Sequence, residues 1–127
     1  GYVLANDTQA PLESLFDHHF PASDVPMSVR HLYLKSRFRM IQDATYEPVP
    51  IEGIKEDIDL SQSLYRAIGA THLQYLKNMG IRASASFSVV EGTFLKGIVG
   101  CHSVTPKSIS ISLLSKIQTL VEAFSTQ

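Results

Sequence analysis

Among the side chains that bind metals or act as nucleophiles, this sequence contains five His and one Cys. His18 and His19 directly follow Asp17, which raises the question of a metal site. Adjacent ligands on a short segment point to opposite sides, and no Cys lies near them, whereas zinc needs three or four ligands that converge. We therefore expect no metal at this histidine pair.

Covalent catalysis would need a nucleophile held beside a base. The sequence has many Ser, His and Asp residues but no Gly-x-Ser-x-Gly elbow and no other nucleophile motif. The single cysteine, Cys101, also excludes an internal disulfide. We expect that this domain is not an enzyme.

Composition indicates one globular domain over residues 1–127, since a chain of 127 residues supports a single core. The hydrophobic content of 44% is typical of a globular domain. The net charge of −1 creates no electrostatic field that would attract nucleic acid or an anionic membrane. The sequence has no signal-peptide pattern, and its apolar runs are far shorter than the ~18 residues that span a bilayer. We expect a cytoplasmic domain without a nucleic-acid or membrane partner.

The first half of the chain predicts one strand and two helices. Residues 2–5 have high β-propensity, residues 11–16 carry apolar side chains at helical spacing, and a longer helix begins near Pro26 and continues to Met40. The sequence starts inside the predicted strand, with no preceding turn. We therefore expect that the first elements of the domain are missing from this chain.

The second half predicts a long loop, two short helical runs, a hairpin and a final helix. The loop covers residues 43–62 and includes the charges Lys55 and Glu56. A helix capped by Asp59 or Ser61 covers residues 64–68, and a second run covers residues 72–79. Alternating residues 83–90 and 93–102 form a hairpin around Glu91-Gly92, and residues 109–124 form an amphipathic helix. The elements add up to an α+β domain, with helices covering an antiparallel sheet.

Several motifs occur in the order in which the phytochrome GAF domain has them. They are Phe20-Pro21-Ala22-Ser23-Asp24-Val25-Pro26, Leu32-Tyr33, Arg39, Tyr75-Leu76-Lys77-Asn78-Met79-Gly80 and Gly100-Cys101-His102. The first resembles the Pro-Ala-Ser-Asp-Ile-Pro signature of that family, with Val25 in place of Ile. The resemblance covers roughly residues 1–106 and implies a partial chromophore-binding GAF domain of a bacterial phytochrome, truncated at its N-terminus.

The resemblance implies a cleft that holds a linear tetrapyrrole (bilin), which in the bacterial class is biliverdin. Light isomerises the double bond to its ring D. Such a pigment needs an acceptor for its pyrrole N–H groups, cations and hydroxyls for its two propionates, and apolar walls for its rings. The resemblance assigns pigment contacts to Asp24, Val25, Pro26, Tyr33, Arg39, Arg66, His72, Tyr75, Met79, Ser84, Ser86 and His102.

Each of these contacts has an implied role. His72 meets a propionate and the water at the pyrrole nitrogens, which the backbone of Asp24 also faces. Arg39 and Arg66 bind the propionates, since a guanidinium fork suits a carboxylate, and His102 bonds the ring D carbonyl. The hydroxyl donors are Tyr33, Ser84 and Ser86. Tyr75, Met79 and Phe87 line ring D or belong to the core.

Without the resemblance, these residues have plainer interpretations. An isolated histidine on a helix is more often structural, and an arginine or a strand serine more often belongs to the surface. Aromatic and Met side chains at helical spacing are more often core. The flanking motifs favour the pigment contacts.

Three positions depart from the family pattern. Thr71 stands where phytochromes that attach bilin to this domain have a Cys, which points to the biliverdin-binding class, whose attachment cysteine precedes a PAS domain and is not in this chain. Ser103 replaces a frequent second His and Lys96 a common Trp, which leaves the colour open. Cys101 is expected to be a buried, inert thiol that points away from the cleft.

The resemblance also implies partners and an output. PAS and PHY domains of the same full-length protein adjoin this domain, an arm from a neighbouring domain meets Asp24, the protein is a homodimer, and the full-length chain is a sensor histidine kinase of a two-component system. Two other hypotheses stand beside this one: a degenerate GAF domain that dimerises or senses a small molecule without pigment, and an enzyme that uses His and Asp chemistry. Asp24, Arg39, Arg66, His72 and His102 argue against the first, and the second lacks a motif.

Overall fold

The computed structural model of the chain describes residues 1–53 and 57–126. Lys55 and Glu56 of the predicted loop lie outside the described residues. The elements, in chain order, are a 3-10 turn at Ala22–Asp24, α1 Met27–Lys35, β1 Phe38–Ile41, α2 Ala70–Asn78, β2 Ala83–Glu91, β3 Phe94–Ser103 and α3 Ile111–Ser125. The predicted α+β class is confirmed.

The three strands form one antiparallel sheet in the order β1-β2-β3. The β2–β3 hairpin was predicted from the alternating residues and the Glu91-Gly92 turn, and it is confirmed. Gly92 has φ +56, a left-handed conformation that glycine adopts without the Cβ clash of other residues. Because side chains alternate along a strand, each strand presents one set of residues to each face of the sheet.

One face of the sheet is apolar and packs against α3. Phe38, Met40, Ala85 and Phe87 are buried there, with Leu64, Ile109, Leu114, Ile117 and Val121 packed against them. The Phe38 and Phe87 rings lie 4.8 Å apart. Phe87 is only 1% exposed, so it belongs to this core, and the alternative of a pocket wall is wrong. α3 begins after Ser110, whose hydroxyl accepts a hydrogen bond from the Leu113 N–H at 3.2 Å.

A second cluster joins α2 to the end of β1. Its buried residues are Ile41, Ala44, Leu73, Leu76 and Ile81, with Leu12, Tyr46, Ile68 and Met79 packed against them. Leu73 and Leu76 share one side of α2 because they are three residues apart. The helix ends before Gly80, at φ +69, as the sequence predicted. We call this group the α2 cluster.

Two elements predicted near the N-terminus are not formed. Residues 2–5 contribute one isolated bridge, between Tyr2 and His19, and no strand. Residues 11–16 form turns, in which the Leu15 N–H donates to the Asn6 side chain at 3.1 Å. A side chain that competes for backbone groups in this way disfavours a helix.

The helix predicted to reach Met40 ends at Lys35. Ser36 is extended, with φ −126 and ψ 100, and Phe38–Ile41 pair with β2. The sequence prediction was wrong because the apolar residues here fit both the helical period of 3.6 residues and the strand period of 2. Pairing with β2 favours the strand. As a consequence, Arg39 lies on a strand and points away from the buried Phe38 and Met40.

The helix predicted at residues 64–68 is also absent. Residues 57–69 are irregular, with turns at residues 61–62 and 64–65, and the Arg66 side chain donates to the Ser61 and Ser63 carbonyls at 2.8 and 3.1 Å. Asp59 accepts from the Ser61 N–H at 2.8 Å, so it stabilises a turn rather than a helix start. Within the described residues, no helix is long and apolar enough to cross a membrane.

An ion pair joins the turn after β1 to the start of β2. Arg82 Nε donates to Asp43 Oδ1 at 2.9 Å and Nη2 to Oδ2 at 2.7 Å. The Thr45 N–H and hydroxyl donate to the same carboxylate at 3.0 and 2.8 Å. Hydrogen bonds from Arg82 and then from the Thr45 backbone hold the pKa of Asp43 well below its ordinary value. Ala44, the next residue, is fully buried, so both hydrogen bonds and packing hold this turn in place.

We predict that Asp43→Asn lowers the urea midpoint of unfolding at pH 7. The unfolded Asp has the ordinary pKa of 3.8, and the folded one is lower, so this stabilisation is present above about pH 4 and is lost as the pH falls below it. The difference between the variant and the parent should therefore shrink at pH 3. Glu91→Gln, which breaks the exposed pair with Lys96, is the control and should have little effect. Equal midpoints for Asp43→Asn and the parent at pH 7 would contradict the assignment.

Candidate functional site

The second face of the sheet is polar and carries most of the predicted site residues on strands. The register pairs Arg39 with Ser86 and Ser84 with His102. Directly opposite residues in an antiparallel sheet point to the same side. The two pairs therefore lie together, on the face opposite Phe87 and α3.

Helix α1 adds Tyr33 to this face. The Tyr33 hydroxyl lies 3.3 Å from the Ser86 hydroxyl, and the Ser88 hydroxyl donates to the Tyr33 carbonyl at 2.9 Å. Ser88 was not predicted, although its place two residues after Ser86 could have indicated it. Ser84 is half-buried and has no hydrogen bond from its hydroxyl to another residue in the described ranges. Its hydroxyl is available to a ligand.

Arg39 is anchored on one side and unsatisfied on the other. Its Nη2 donates to the Arg66 and Ala67 carbonyls at 3.0 and 3.2 Å. Its Nη1 is buried and has no hydrogen-bond partner among the described residues. Desolvation, followed by the positive charge of Arg66, lowers the pKa of Arg39. A buried N–H group without an acceptor is rare in proteins and marks a place where an acceptor belongs.

Arg66 lies beside Arg39 on the irregular segment that leads to α2. One of its terminal nitrogens donates to the Ser61 and Ser63 carbonyls. Its other N–H groups make no hydrogen bond to described residues. The ion pairs found in residues 1–53 and 57–126 are Arg82–Asp43 and Lys96–Glu91. Neither Arg39 nor Arg66 has a carboxylate partner among these residues.

Two histidines, His72 and His102, were also predicted as site residues. His72 lies in the first turn of α2, where its backbone N–H donates to the Gly69 carbonyl at 3.0 Å. The imidazole ring stacks on the Tyr75 ring, with centroids 6.3 Å apart. His102 lies near the end of β3. Both residues are exposed, yet the protein around their rings removes enough water to lower their pKa values.

The pKa values show that these side chains act on one another. After desolvation, the second cause that lowers the pKa of His72 is the charge of Arg39, and for His102 it is the charge of His72. The residues at positions 39, 66, 72 and 102 therefore form one cluster that is cationic or can become so, which we call the cation cluster. A bound carboxylate would relieve this repulsion. Both imidazoles, when neutral, can donate one hydrogen bond and accept another.

The segment with Asp24, Val25 and Pro26 forms a 3-10 turn that leads into α1. Arg30 Nε donates to the Val25 carbonyl at 2.8 Å and fixes this turn. Asp24 is exposed, and its carboxylate contacts only the Ser23 hydroxyl, at 3.5 Å, among the described residues. The structure does not join the Asp24 side chain to the cation cluster.

The residues predicted as apolar pigment contacts differ in exposure and in what they pack against. Tyr75 is 42% exposed and lies against His72. Met79 is half-buried and packs on the α2 cluster, so a large part of its surface contributes to the core. Val25 is half-buried and Pro26 is exposed.

Cys101 lies on the opposite side of the sheet from His102, because it pairs with Ala85. The thiol therefore points to the face of the sheet opposite His102. It is exposed rather than buried, since β3 is an edge strand and α3 packs over β1 and β2. Partial burial nevertheless raises the pKa of the thiol.

Tyr46 is a residue of this region that sequence reasoning missed. Its hydroxyl accepts a hydrogen bond from the Ile68 N–H at 2.9 Å. It belongs to the predicted loop 43–62, where no periodicity marks a contact. The side chain could not be assigned before the path of residues 61–68 was known. In the described ranges, no group of three His, Cys, Asp or Glu side chains is placed to hold a metal.

Comparisons with known proteins give one consistent result. No family model matches the chain. It is 36% identical over its whole length to cyanobacterial phytochrome B of Nostoc sp. and 40% identical, over 86% of its length, to a bacteriophytochrome of Pseudomonas aeruginosa. The chain spans 18% and 16% of those two proteins.

Solved structures show the same relationship. The chromophore-binding domain of Stigmatella aurantiaca phytochrome P1 superposes on 99% of the chain with a TM-score of 0.92 at 33% identity. That of an unusual bacteriophytochrome from R. palustris superposes on 95% with a TM-score of 0.88 at 35% identity. The chain covers 43% and 42% of those two structures. The predicted GAF-type fold is confirmed.

We predict that removing one charge of the cluster raises the pKa of the neighbouring histidine. Arg39→Ala should raise the pKa of His72, and His72→Gln should raise that of His102, because each change removes the positive charge that opposes protonation. NMR titration of the imidazole ring protons measures both. Arg37→Ala removes an exposed positive charge just before β1 and should leave both values unchanged. Unchanged titrations in Arg39→Ala and His72→Gln would contradict the cluster.

Proposed function

This chain is homologous to the chromophore-binding (GAF) domain of phytochromes, and on that premise we propose that it belongs to a red/far-red photoreceptor and binds biliverdin, a linear tetrapyrrole. The proposal covers residues 1–127 as a partial GAF domain. It assigns no enzymatic activity to this domain.

The observation that carries the proposal is the cation cluster without a carboxylate. Arg39 and Arg66 lie together, have no ion pair among the described residues, and leave the buried Nη1 of Arg39 without an acceptor. Biliverdin has two propionates, and each carboxylate can accept several charge-assisted hydrogen bonds. An anionic ligand of this kind would satisfy Nη1 and offset the repulsion within the cluster.

The polar groups around the cluster match the rest of the pigment. We assign the propionates to Arg39 and Arg66, with the hydroxyls of Tyr33, Ser84 and Ser86. His72 would meet a propionate and the water at the pyrrole nitrogens, which the Asp24 backbone would also face. His102 would bond the ring D carbonyl. Val25, Pro26, Tyr75 and Met79 would be the apolar contacts.

The bound pigment would supply the light-driven isomerisation at ring D. The chain itself would hold the pigment and control its protons. Desolvation and neighbouring charge keep the pKa values of His72 and His102 low, so both rings are available in the neutral form, able to donate and to accept. A propionate at the cluster would raise the pKa of His72, because it would offset the charge of Arg39. His72 would then be poised to exchange a proton near the pyrrole nitrogens.

The whole protein would be a cytoplasmic sensor histidine kinase. The proposal includes PAS and PHY domains in the same protein, a homodimer, and an attachment cysteine outside this chain. The matched phytochromes are several times longer than this chain, which spans 18% and 16% of two of them. This difference in length supports the presence of further domains in such proteins.

The experiment that tests the proposal is a visible spectrum. The full-length protein that contains this chain is purified and mixed with biliverdin in the dark, then exposed to red light, and the absorbance is recorded at each step. We expect a red band that converts to a far-red form. No band would overturn the proposal and support the degenerate, pigment-free GAF domain.

We predict that Arg66→Ala and Arg39→Ala each weaken biliverdin binding by roughly 10- to 100-fold. A hydrogen bond to a charged group contributes about 1.5–3 kcal/mol, and 1.4 kcal/mol is tenfold. Arg66→Lys should restore only part of the affinity, because an ammonium lacks the guanidinium fork. Fluorescence quenching on titration gives the dissociation constants, with Arg37→Ala as the matched control. Parental affinity in both alanine variants would remove the arginines from this role.

We predict that this chain forms no covalent adduct with biliverdin. Its only thiol, Cys101, lies on the face of the sheet opposite His102, and its raised pKa leaves little reactive thiolate at pH 7. The chain is mixed with biliverdin, denatured and examined for zinc-dependent bilin fluorescence. A fluorescent protein band that disappears in Cys101→Ala would show that the pigment lies in another orientation.

A further inference from the structure

The segment that carries Arg66 has no regular structure of its own. Residues 57–69 contain neither a helix nor a strand, so their backbone groups need partners from elsewhere. Arg39 satisfies the carbonyls of Arg66 and Ala67. The next backbone group, the N–H of Ile68, donates to the Tyr46 hydroxyl at 2.9 Å.

Tyr46 reaches this N–H from the turn that follows β1. The turn is held by the two-point Asp43–Arg82 ion pair and by Ala44, which is fully buried, and the Tyr46 N–H donates to the Asp43 carbonyl at 3.2 Å. The Tyr46 side chain packs on the α2 cluster together with Ile68. Its ring is therefore fixed by packing, and its hydroxyl is a preset acceptor.

Three consecutive residues are thus joined to the sheet from two sides. Arg39, on β1, binds the carbonyls of residues 66 and 67, and Tyr46, in the turn after β1, binds the N–H of residue 68. Two residues further along the chain α2 begins, and His72 lies in its first turn. The placement of Arg66 and the start of α2 both depend on this short segment.

We propose that Tyr46 is a positioning residue for the carboxylate-binding Arg66, acting through the hydrogen bond from the Ile68 N–H. The proposal rests on the proposed function, because the arginines are assigned there to the propionates. The proposal assigns Tyr46 this backbone contact and no contact with the ligand. Loss of its hydroxyl leaves the ring and its packing in place but releases the backbone next to Arg66.

The first test examines the hydrogen bond in the pigment-free chain. Tyr46→Phe should accelerate exchange of the Ile68 amide proton on the order of 10-fold, while amides of β2 stay protected. Tyr65→Phe is the matched control, because Tyr65 belongs to the same segment but is 69% exposed. Unchanged exchange at Ile68 in Tyr46→Phe would overturn the proposal.

The second test links the hydrogen bond to the ligand. Tyr46→Phe should raise the dissociation constant for biliverdin roughly 3- to 10-fold, the range expected for one hydrogen bond. In an Arg66→Ala background the same change should have an effect below about 2-fold, since residues that act through one another are not additive. Equal effects in both backgrounds would reduce Tyr46 to a purely structural role and overturn the proposal.

The two tests separate this proposal from the function on which it rests. If the full-length protein that contains this chain does not bind biliverdin, the proposed function fails, and the exchange of the Ile68 amide still decides whether Tyr46 holds the segment. If the parent binds biliverdin and Tyr46→Phe binds equally well, the proposed function stands and the positioning role fails.

Discussion

The alternation of side chains along residues 83–87 of β2 is the constraint on which the rest of the structure depends. Ala85 and Phe87 point to one face and pack under α3, so Ser84 and Ser86 must point to the other. A shift of one residue in the pairing would bury the serines and expose the phenylalanine. The core under α3 therefore fixes the register, and the register places Arg39 beside Ser86 and Ser84 beside His102. The site is a consequence of how the core packs.

The polar face then shows an imbalance of charge. Arginines and histidines gather there, whereas the ion pairs of the described residues involve Arg82 and Lys96 elsewhere. The arginines use part of their hydrogen-bonding capacity on backbone carbonyls of the irregular segment before α2. This use stabilises a segment without regular structure and holds the remaining guanidinium groups in place. A site that is held before the ligand arrives costs less entropy on binding.

Local pattern and long-range pairing explain what could be predicted from the sequence. The hairpin, α2 and α3 were predicted because alternation, glycine stops and an apolar stripe are local signals. β1 was mistaken for the end of a helix, because its partner Phe87 lies far along the chain and no local signal names it. The run of residues 64–68 was mistaken for a helix, because the side chains of Arg39 and Tyr46 bind its backbone groups and Arg66 binds the carbonyls just before it. The family motifs indicated His72, His102 and the arginines, but Tyr46 became visible only through its contact with Ile68.

The central claim is that the cation cluster recognises the carboxylates of a linear tetrapyrrole. Comparing the affinity of the chain for biliverdin with its affinity for biliverdin dimethyl ester tests this claim most directly, since the two pigments share every ring and differ only in whether the propionates are charged. The account predicts that the ester binds at least about 10-fold more weakly, as the loss of one charge-assisted contact requires, and that the difference is lost when Arg39 and Arg66 are both replaced by Ala. Equal affinity of the parent chain for acid and ester would contradict it.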